Sequence, residues 1–152
     1  MAAQPRFTHN ASGRFESRWA QVTVLDSPAV LLEGMAGATV GVWCAHGEGR
    51  ATFPDAGVEA AVLEGGLAPI RYADASGSVT TSYPANPNGS PHGIAALCSP
   101  DGRHLAMMPH PERCFLGWQC PWAPADAGID PAGAGPWLRL FQNAAAWCAK
   151  EA

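Results

Sequence analysis

The sequence predicts an α/β fold, and three observations carry that prediction. Two short apolar runs, Trp19 to Leu25 and Thr39 to Ala45, have the length and composition of buried strands. Between residues 67 and 108, further short runs are separated by turns rich in glycine, aspartate and proline. After Pro136 the spacing of apolar residues becomes helical.

The elements follow in order. Trp19 to Leu25 alternates, with Ala20, Val22 and Val24 on one face and Trp19, Gln21 and Thr23 on the other. Thr39 to Ala45 is nearly continuous in its hydrophobicity and runs into His46-Gly47-Glu48-Gly49, whose two glycines permit a tight loop with backbone amides facing a ligand. Val58 to Glu64 reads as a short helix stopped by Gly65-Gly66. Leu67 to Tyr72 and Ser78 to Tyr83 read as strands joined by the turn Asp74 to Gly77. Gly93 to Cys98 and Arg103 to Met108 form a hairpin through Ser99-Pro100-Asp101-Gly102. Residues 121 to 136 form an aperiodic connection. The final helix follows it, with Trp137, Leu140, Phe141, Ala144 and Cys148 on one face. No internal repeat is present.

Composition narrows the function classes. The chain has 152 residues, enough for one domain with a sizeable core. A net charge of −4, with Lys150 the only lysine, argues against a nucleic-acid partner. No run approaches a membrane span, so no membrane partner is expected. The five cysteines, Cys44, Cys98, Cys114, Cys120 and Cys148, are odd in number and irregularly spaced, which suits reduced thiols better than a disulfide framework. Cys114 and Cys120 with His104 and His110 are four donors in a short span. Their spacing is wrong for a structural zinc site, and no metal is expected.

The chemistry concentrates in Met107-Met108-Pro109-His110-Pro111-Glu112-Arg113. Met108 and His110 each precede a proline, which disfavours the α region, so an extended segment is expected. Side chains at i and i+2 then point the same way, bringing His110 beside Glu112. A carboxylate beside an imidazole fixes its tautomer and orients it as a general base. Asn86, Asn88 and Ser90 read as turn formers, and His9, His92 and His104 have no evident partner.

The Met-Met-Pro-His-Pro-Glu-Arg run follows Pro87-Asn88-Gly89-Ser90-Pro91. Upstream stand Pro5-Arg6-Phe7, Asn10-Ala11-Ser12-Gly13-Arg14-Phe15-Glu16, His46-Gly47-Glu48-Gly49-Arg50 and Arg71-Tyr72-Ala73-Asp74. Gly135-Pro136-Trp137-Leu138-Arg139-Leu140-Phe141 closes the series. In this order the motifs resemble the C-terminal part of the glutaminase domain of the phosphoribosylformylglycinamidine synthase family, class I glutamine amidotransferases of purine biosynthesis.

That resemblance implies a flavodoxin-like, doubly wound sheet carrying an antiparallel hairpin. It implies His110 and Glu112 as two members of a Cys-His-Glu triad. It also implies a loop, here Ala45, His46 and Gly47, whose backbone holds the amino-acid end of glutamine. The family's nucleophile elbow, of Gly-x-Cys-Asn-Gly-Cys-Gln type, does not occur in the sequence, which opens at Met1-Ala2-Ala3-Gln4-Pro5. The chain is therefore read as residues 1–152 of one glutaminase domain, a fragment without elbow or synthase portion and inactive by itself. The implied partners are glutamine and the synthase portion. ATP and Mg²⁺ are assigned to that portion, no cofactor is assigned to this chain, and the implied location is cytoplasmic, or organellar if a targeting segment precedes. Two other readings stay open: a stand-alone amidase using Cys44 or Cys114 with His110, and a non-catalytic pseudo-glutaminase that only binds. Trp118, Trp122 and Trp137 are candidates to face the synthase portion.

Overall fold

The computed structural model describes residues 4–124 and 127–151. Met1 to Ala3, Ala152, and Ala125 and Asp126 of the expected connection lie outside the described residues.

The described chain is a mixed α/β fold of seven strands and two α-helices: β1 (Arg6–His9), β2 (Glu16–Val24), β3 (Thr39–His46), β4 (Glu48–Thr52), α1 (Ala56–Glu64), β5 (Ile70–Ala73), β6 (Ile94–Cys98), β7 (Leu105–Met107) and α2 (Leu138–Glu151). Five strands form one sheet in the order β3-β2-β5-β6-β7, and β1 pairs with β4 in a separate ribbon. Every named ladder is antiparallel. The expected β6–β7 hairpin is one edge of this sheet, and the parallel pairings of a doubly wound sheet are not among the described ladders.

The sheet curls on itself. Strand β7 ends at Met107, yet the amide of His110, three residues on, donates to the carbonyl of Trp43 on β3 at 2.7 Å. Three residues reach at most about 11 Å, so the two outer strands lie close together. The alternation read in β2 is realised, with Ala20, Val22 and Val24 buried; β3 adds Val42 and Cys44 on the same face. These side chains, with Ile70, Tyr72 and the fully buried Trp137, form the main core. A smaller core of Ala51, Val62, Ala68 and Ile94 lies under α1 and the β1–β4 ribbon.

Local chemistry explains the boundaries. Helix α1 begins where Asp55 caps it, accepting from the Val58 amide at 2.9 Å, and ends at Gly65. In α2 the buried positions are Leu140 and Asn143, whereas Phe141 and Cys148 are exposed, contrary to the expected face. Asn143 causes the rotation: its amide donates to the carbonyls of Leu31 and Glu33, so a polar side chain takes the position facing the core. Ser78 to Tyr83 does not form the expected strand, and only Val79 bridges Ala73. The Asp74 carboxylate accepts from the Ser76 and Ser78 amides and closes the turn tightly, while Val79 remains 45% exposed, so the run buries no apolar face that would hold it in the sheet.

Candidate active site

The His110–Glu112 pair forms, but not on an extended segment. His110 has φ −109° and ψ 85°, outside the α region as its following proline requires, and Pro111–Arg113 then makes a single 3₁₀ turn. The restriction before proline applies to His110 and not to Pro111, whose own fixed φ suits the first position of a helical turn. That turn brings Nδ1 of His110 to 2.6 Å from Oε1 of Glu112. The His110 side chain is 26% exposed, its Glu112 partner 53%. With Glu112 accepting at Nδ1–H, the neutral ring leaves Nε2 as an acceptor that no described residue hydrogen-bonds.

His46 ends β3, and the expected loop at 46–49 is instead a single bend at Gly47 between β3 and β4. The reason is Asn10. Its backbone amide donates to the Gly47 carbonyl at 2.9 Å and its side-chain amide to the His46 carbonyl at 2.7 Å, which extends the β1–β4 ribbon up to the bend. Ala45 is held in the β2–β3 ladder opposite Ser17. The His46 ring is buried at 6% exposure, with Nδ1 3.3 Å from Oδ1 of Asn10, while Nε2 is buried with no partner among the described residues. Burial, and then the neighbouring charge of His110, hold His46 below its usual value. Gly49 is required here because a Cβ would stand 2.5 Å from Cε1 of that ring.

Directly opposite His46 on β2 is Glu16, a buried carboxylate paired with Arg18. Burial opposes its ionisation, but the Ser12 hydrogen bond and the charges of Arg18 and Arg14 outweigh burial and keep the carboxyl below its ordinary range. The Arg18 guanidinium also donates to the Tyr83 hydroxyl at 2.8 Å and lies 4.8 Å over that ring. Glu16 is buried but Arg18 is 27% exposed and its Nε has no partner among the described residues, so the pair fixes the β2 end rather than adding much stability.

The 86–90 segment is more than a turn. Asn86, Asn88 and Ser90 are at most 1% exposed. Asn88 donates to the Gly49 carbonyl at 2.6 Å and lies 3.2 Å from the Tyr72 hydroxyl, and Ser90 Oγ accepts from the Ala51 amide at 2.9 Å. This knot fastens β4 from the side opposite Asn10. Sequence reasoning placed Asn10 only within a motif and missed its part; the signal available was an asparagine just before Ala11-Ser12-Gly13, which does not identify its partners.

The thiols lie apart from the His110 ring. Cys44 is 1% exposed with Sγ 3.8 Å from the Tyr72 hydroxyl, and burial pushes its pKa up to about 12. Cys114 is fully buried, is likewise raised by burial to about 12, and donates to the carbonyl of His110 at 3.4 Å rather than to its ring. Among the described residues no cysteine sulfur hydrogen-bonds the imidazole, and no three His, Cys, Asp or Glu side chains gather as a metal site. His9, His92 and His104 face Glu48, Glu59 and Asp101 at 3.3, 3.2 and 3.9 Å as surface pairs. Trp118 and Trp122 are 69% and 54% exposed. Trp137 is fully buried and faces no partner, its indole donating to the Gly41 carbonyl at 2.8 Å.

Residues 1–148 match the family described as CobB/CobQ-like glutamine amidotransferase domains. Among curated relatives, a probable chloroplastic/mitochondrial phosphoribosylformylglycinamidine synthase of Arabidopsis thaliana is 63% identical over 145 residues, 95% of this chain and 10% of that protein. The phosphoribosylformylglycinamidine synthase of Homo sapiens is 52% identical over 139 residues, 91% of this chain and 10% of that protein. The chain thus spans about a tenth of the length of these relatives. A solved structure titled as PurLQS from Thermotoga maritima shares the fold at a TM-score of 0.62 and 22% identity, covering 95% of this chain and 53% of that one.

Proposed function

Since the chain belongs to the CobB/CobQ-like glutamine amidotransferase family, we propose that it carries the acid–base half of a glutamine-hydrolysing site that feeds ammonia to a phosphoribosylformylglycinamidine synthase. One observation carries the reading: Nδ1 of His110 faces Glu112 at 2.6 Å and leaves Nε2 as a base. The name borne by the Arabidopsis and human relatives and the family's description as a glutamine amidotransferase domain support this reading.

In this reading Nε2 of His110 takes the proton of a cysteine thiol, and the resulting thiolate attacks the side-chain amide carbon of glutamine. His110 Nε2–H protonates the departing ammonia as the carbon–nitrogen bond of the tetrahedral intermediate breaks, leaving a thioester. His110 then takes a proton from water, whose oxygen attacks the thioester and releases glutamate and thiol. Glu112 holds the imidazole in register throughout and stabilises it when protonated. Backbone groups of Ala45, His46 and Gly47 hold the amino-acid end of the substrate. The nucleophile is assigned to none of the five cysteines, since no cysteine sulfur among the described residues hydrogen-bonds the imidazole, and Cys44 and Cys114 are buried thiols raised to about 12.

The freed ammonia passes to a synthase portion that uses ATP and Mg²⁺ to convert formylglycinamide ribonucleotide to the amidine; those cofactors are assigned there and not to this chain. Among the described residues no helix is long and apolar enough to cross a membrane. The proposed location is the cytoplasm, and the chloroplastic/mitochondrial designation of the Arabidopsis relative makes an organelle the alternative. The test is glutamate release by the glutamine-hydrolysing enzyme with His110→Ala or Glu112→Gln. Loss of about 10² to 10⁴-fold in kcat supports the assignment. Undiminished turnover in His110→Ala rejects it and favours a binding-only domain.

A further inference from the structure

Asn10 is 3% exposed and its hydrogen-bonding groups are all engaged. Its side-chain nitrogen lies 2.7 Å from the His46 carbonyl and 2.9 Å from the Arg14 carbonyl. Two carbonyls can only accept, so this atom is the NH₂ and the amide orientation is settled. The opposite atom, Oδ1, is therefore an acceptor, and it faces Nδ1 of His46 at 3.3 Å. Nδ1 must then carry the proton, which leaves Nε2 of the neutral ring as an acceptor.

The same asparagine fixes the backbone. Its amide binds the Gly47 carbonyl, and its own carbonyl accepts from the Gly13 amide at 2.9 Å. The next residue, Ala11, donates to the Asn88 carbonyl at 3.0 Å, and Asn88 in turn holds the Gly49 carbonyl. One continuous network thus grips residues 46–49 from both sides. A side chain at Gly89 would break it, since its φ is +72° and a Cβ would stand 2.5 Å from that of Ala11.

We propose that Asn10 is a positioning residue of the site: it holds His46 as the Nδ1–H tautomer with Nε2 as a buried acceptor, and it sets the path of the Ala45–Gly47 backbone. Its effect on glutamine rests on the reading that this backbone binds the amino-acid end of the substrate. The acceptor is filled by a small O–H or N–H donor, with water the minimal occupant. Protonating Nε2 would convert it to a second buried donor beside the charge of His110, in agreement with the direction in which His46 is shifted. The groups facing His46 are Asn10 from the β1 end, Glu16 from β2, Gly49 from β4 and His110 from the turn after β7.

Two measurements decide it. Long-range ¹H–¹⁵N NMR of the full chain reports the tautomer of each histidine without any activity. The expected result is Nδ1–H for His46, kept in Asn10→Asp, whose carboxylate still accepts from Nδ1–H, and lost in Asn10→Ala, which removes that acceptor. An Nε2–H tautomer in the unsubstituted chain overturns the proposal. In the glutamine-hydrolysing holoenzyme, Asn10→Asp should raise the KM for glutamine about tenfold or more, as expected for lost buried hydrogen bonds, with kcat changed less than about threefold. A purely structural role would instead lower thermal stability with KM unmoved, and that outcome also overturns the proposal. If His110→Ala leaves turnover intact, the functional reading fails while the tautomer result still decides the role of Asn10.

Discussion

The amide of His110 donates to the carbonyl of Trp43 at 2.7 Å, and this bond joins the two edges of the five-stranded sheet. It anchors His110 by its backbone to an edge strand, while the 3₁₀ turn that follows delivers Glu112 to the imidazole. Rigid placement of this kind is what acid–base chemistry requires of its scaffold.

Replacing Glu112 by Gln tests the orienting role. A glutamine amide keeps the size of the carboxylate, but it removes the charge and can favour the wrong imidazole tautomer. The expected result is a fall in kcat of about 10² to 10⁴-fold with KM for glutamine little changed, measured by steady-state glutamate release. A loss confined to KM would place Glu112 in binding instead.

Thiol labelling of the folded chain should be sharply selective. Cys44 and Cys114, buried and raised to about 12, should resist iodoacetamide at pH 8, whereas Cys148 on the exposed side of α2 should react first. Mass spectrometry after partial labelling reads the order. Native-state modification of Cys114 ahead of Cys148 would contradict the burial described here.

His46 predicts a pH dependence of stability. Its folded value lies below the ordinary 6.5, so the unfolded chain binds more protons over the window from about 6.5 down to the folded value. Stability from this residue is complete above that window and is lost as pH falls through it. Thermal melts between pH 8 and pH 5 should show the decline, and His46→Gln should flatten it. Glu16, held below its ordinary 4.5, adds a separate loss only at more acidic pH.

Trp137 should be the costliest core position. It is fully buried, packs in the main core and donates to the Gly41 carbonyl at 2.8 Å. Truncation to alanine is expected to cost about 3 to 5 kcal/mol in urea unfolding, from the cavity and the unpaired carbonyl together.

Much of this architecture was legible in the sequence because the relevant signals are local. The alternation in β2, the apolar run of β3, the β6–β7 hairpin and the glycine stop after α1 all follow from neighbouring residues. So did the juxtaposition of His110 and Glu112, although a helical turn and not an extended strand produces it. The misreadings arose where a distant partner decides. Residues 46–49 look like a loop until Asn10 extends pairing to the bend, and α2 turns its Asn143 inward because two carbonyls near Leu31 need donors. Trp137 reads as a surface anchor only if Gly41 is ignored. The resemblance of ordered motifs supplied the family, while the knot formed by Asn10, Asn88 and Ser90 has no signature along the chain.

In the proposed reaction, His110 and Glu112 serve a nucleophile that none of these five cysteines provides. Glutamate release from glutamine tests it most directly, measured for residues 1–152 alone, with a cysteine-bearing glutaminase segment supplied, and for that combination carrying His110→Ala. Background rates are expected for the chain alone, turnover when the segment is present, and loss of that turnover in His110→Ala. Robust hydrolysis by residues 1–152 alone, abolished by Cys114→Ser, would contradict it.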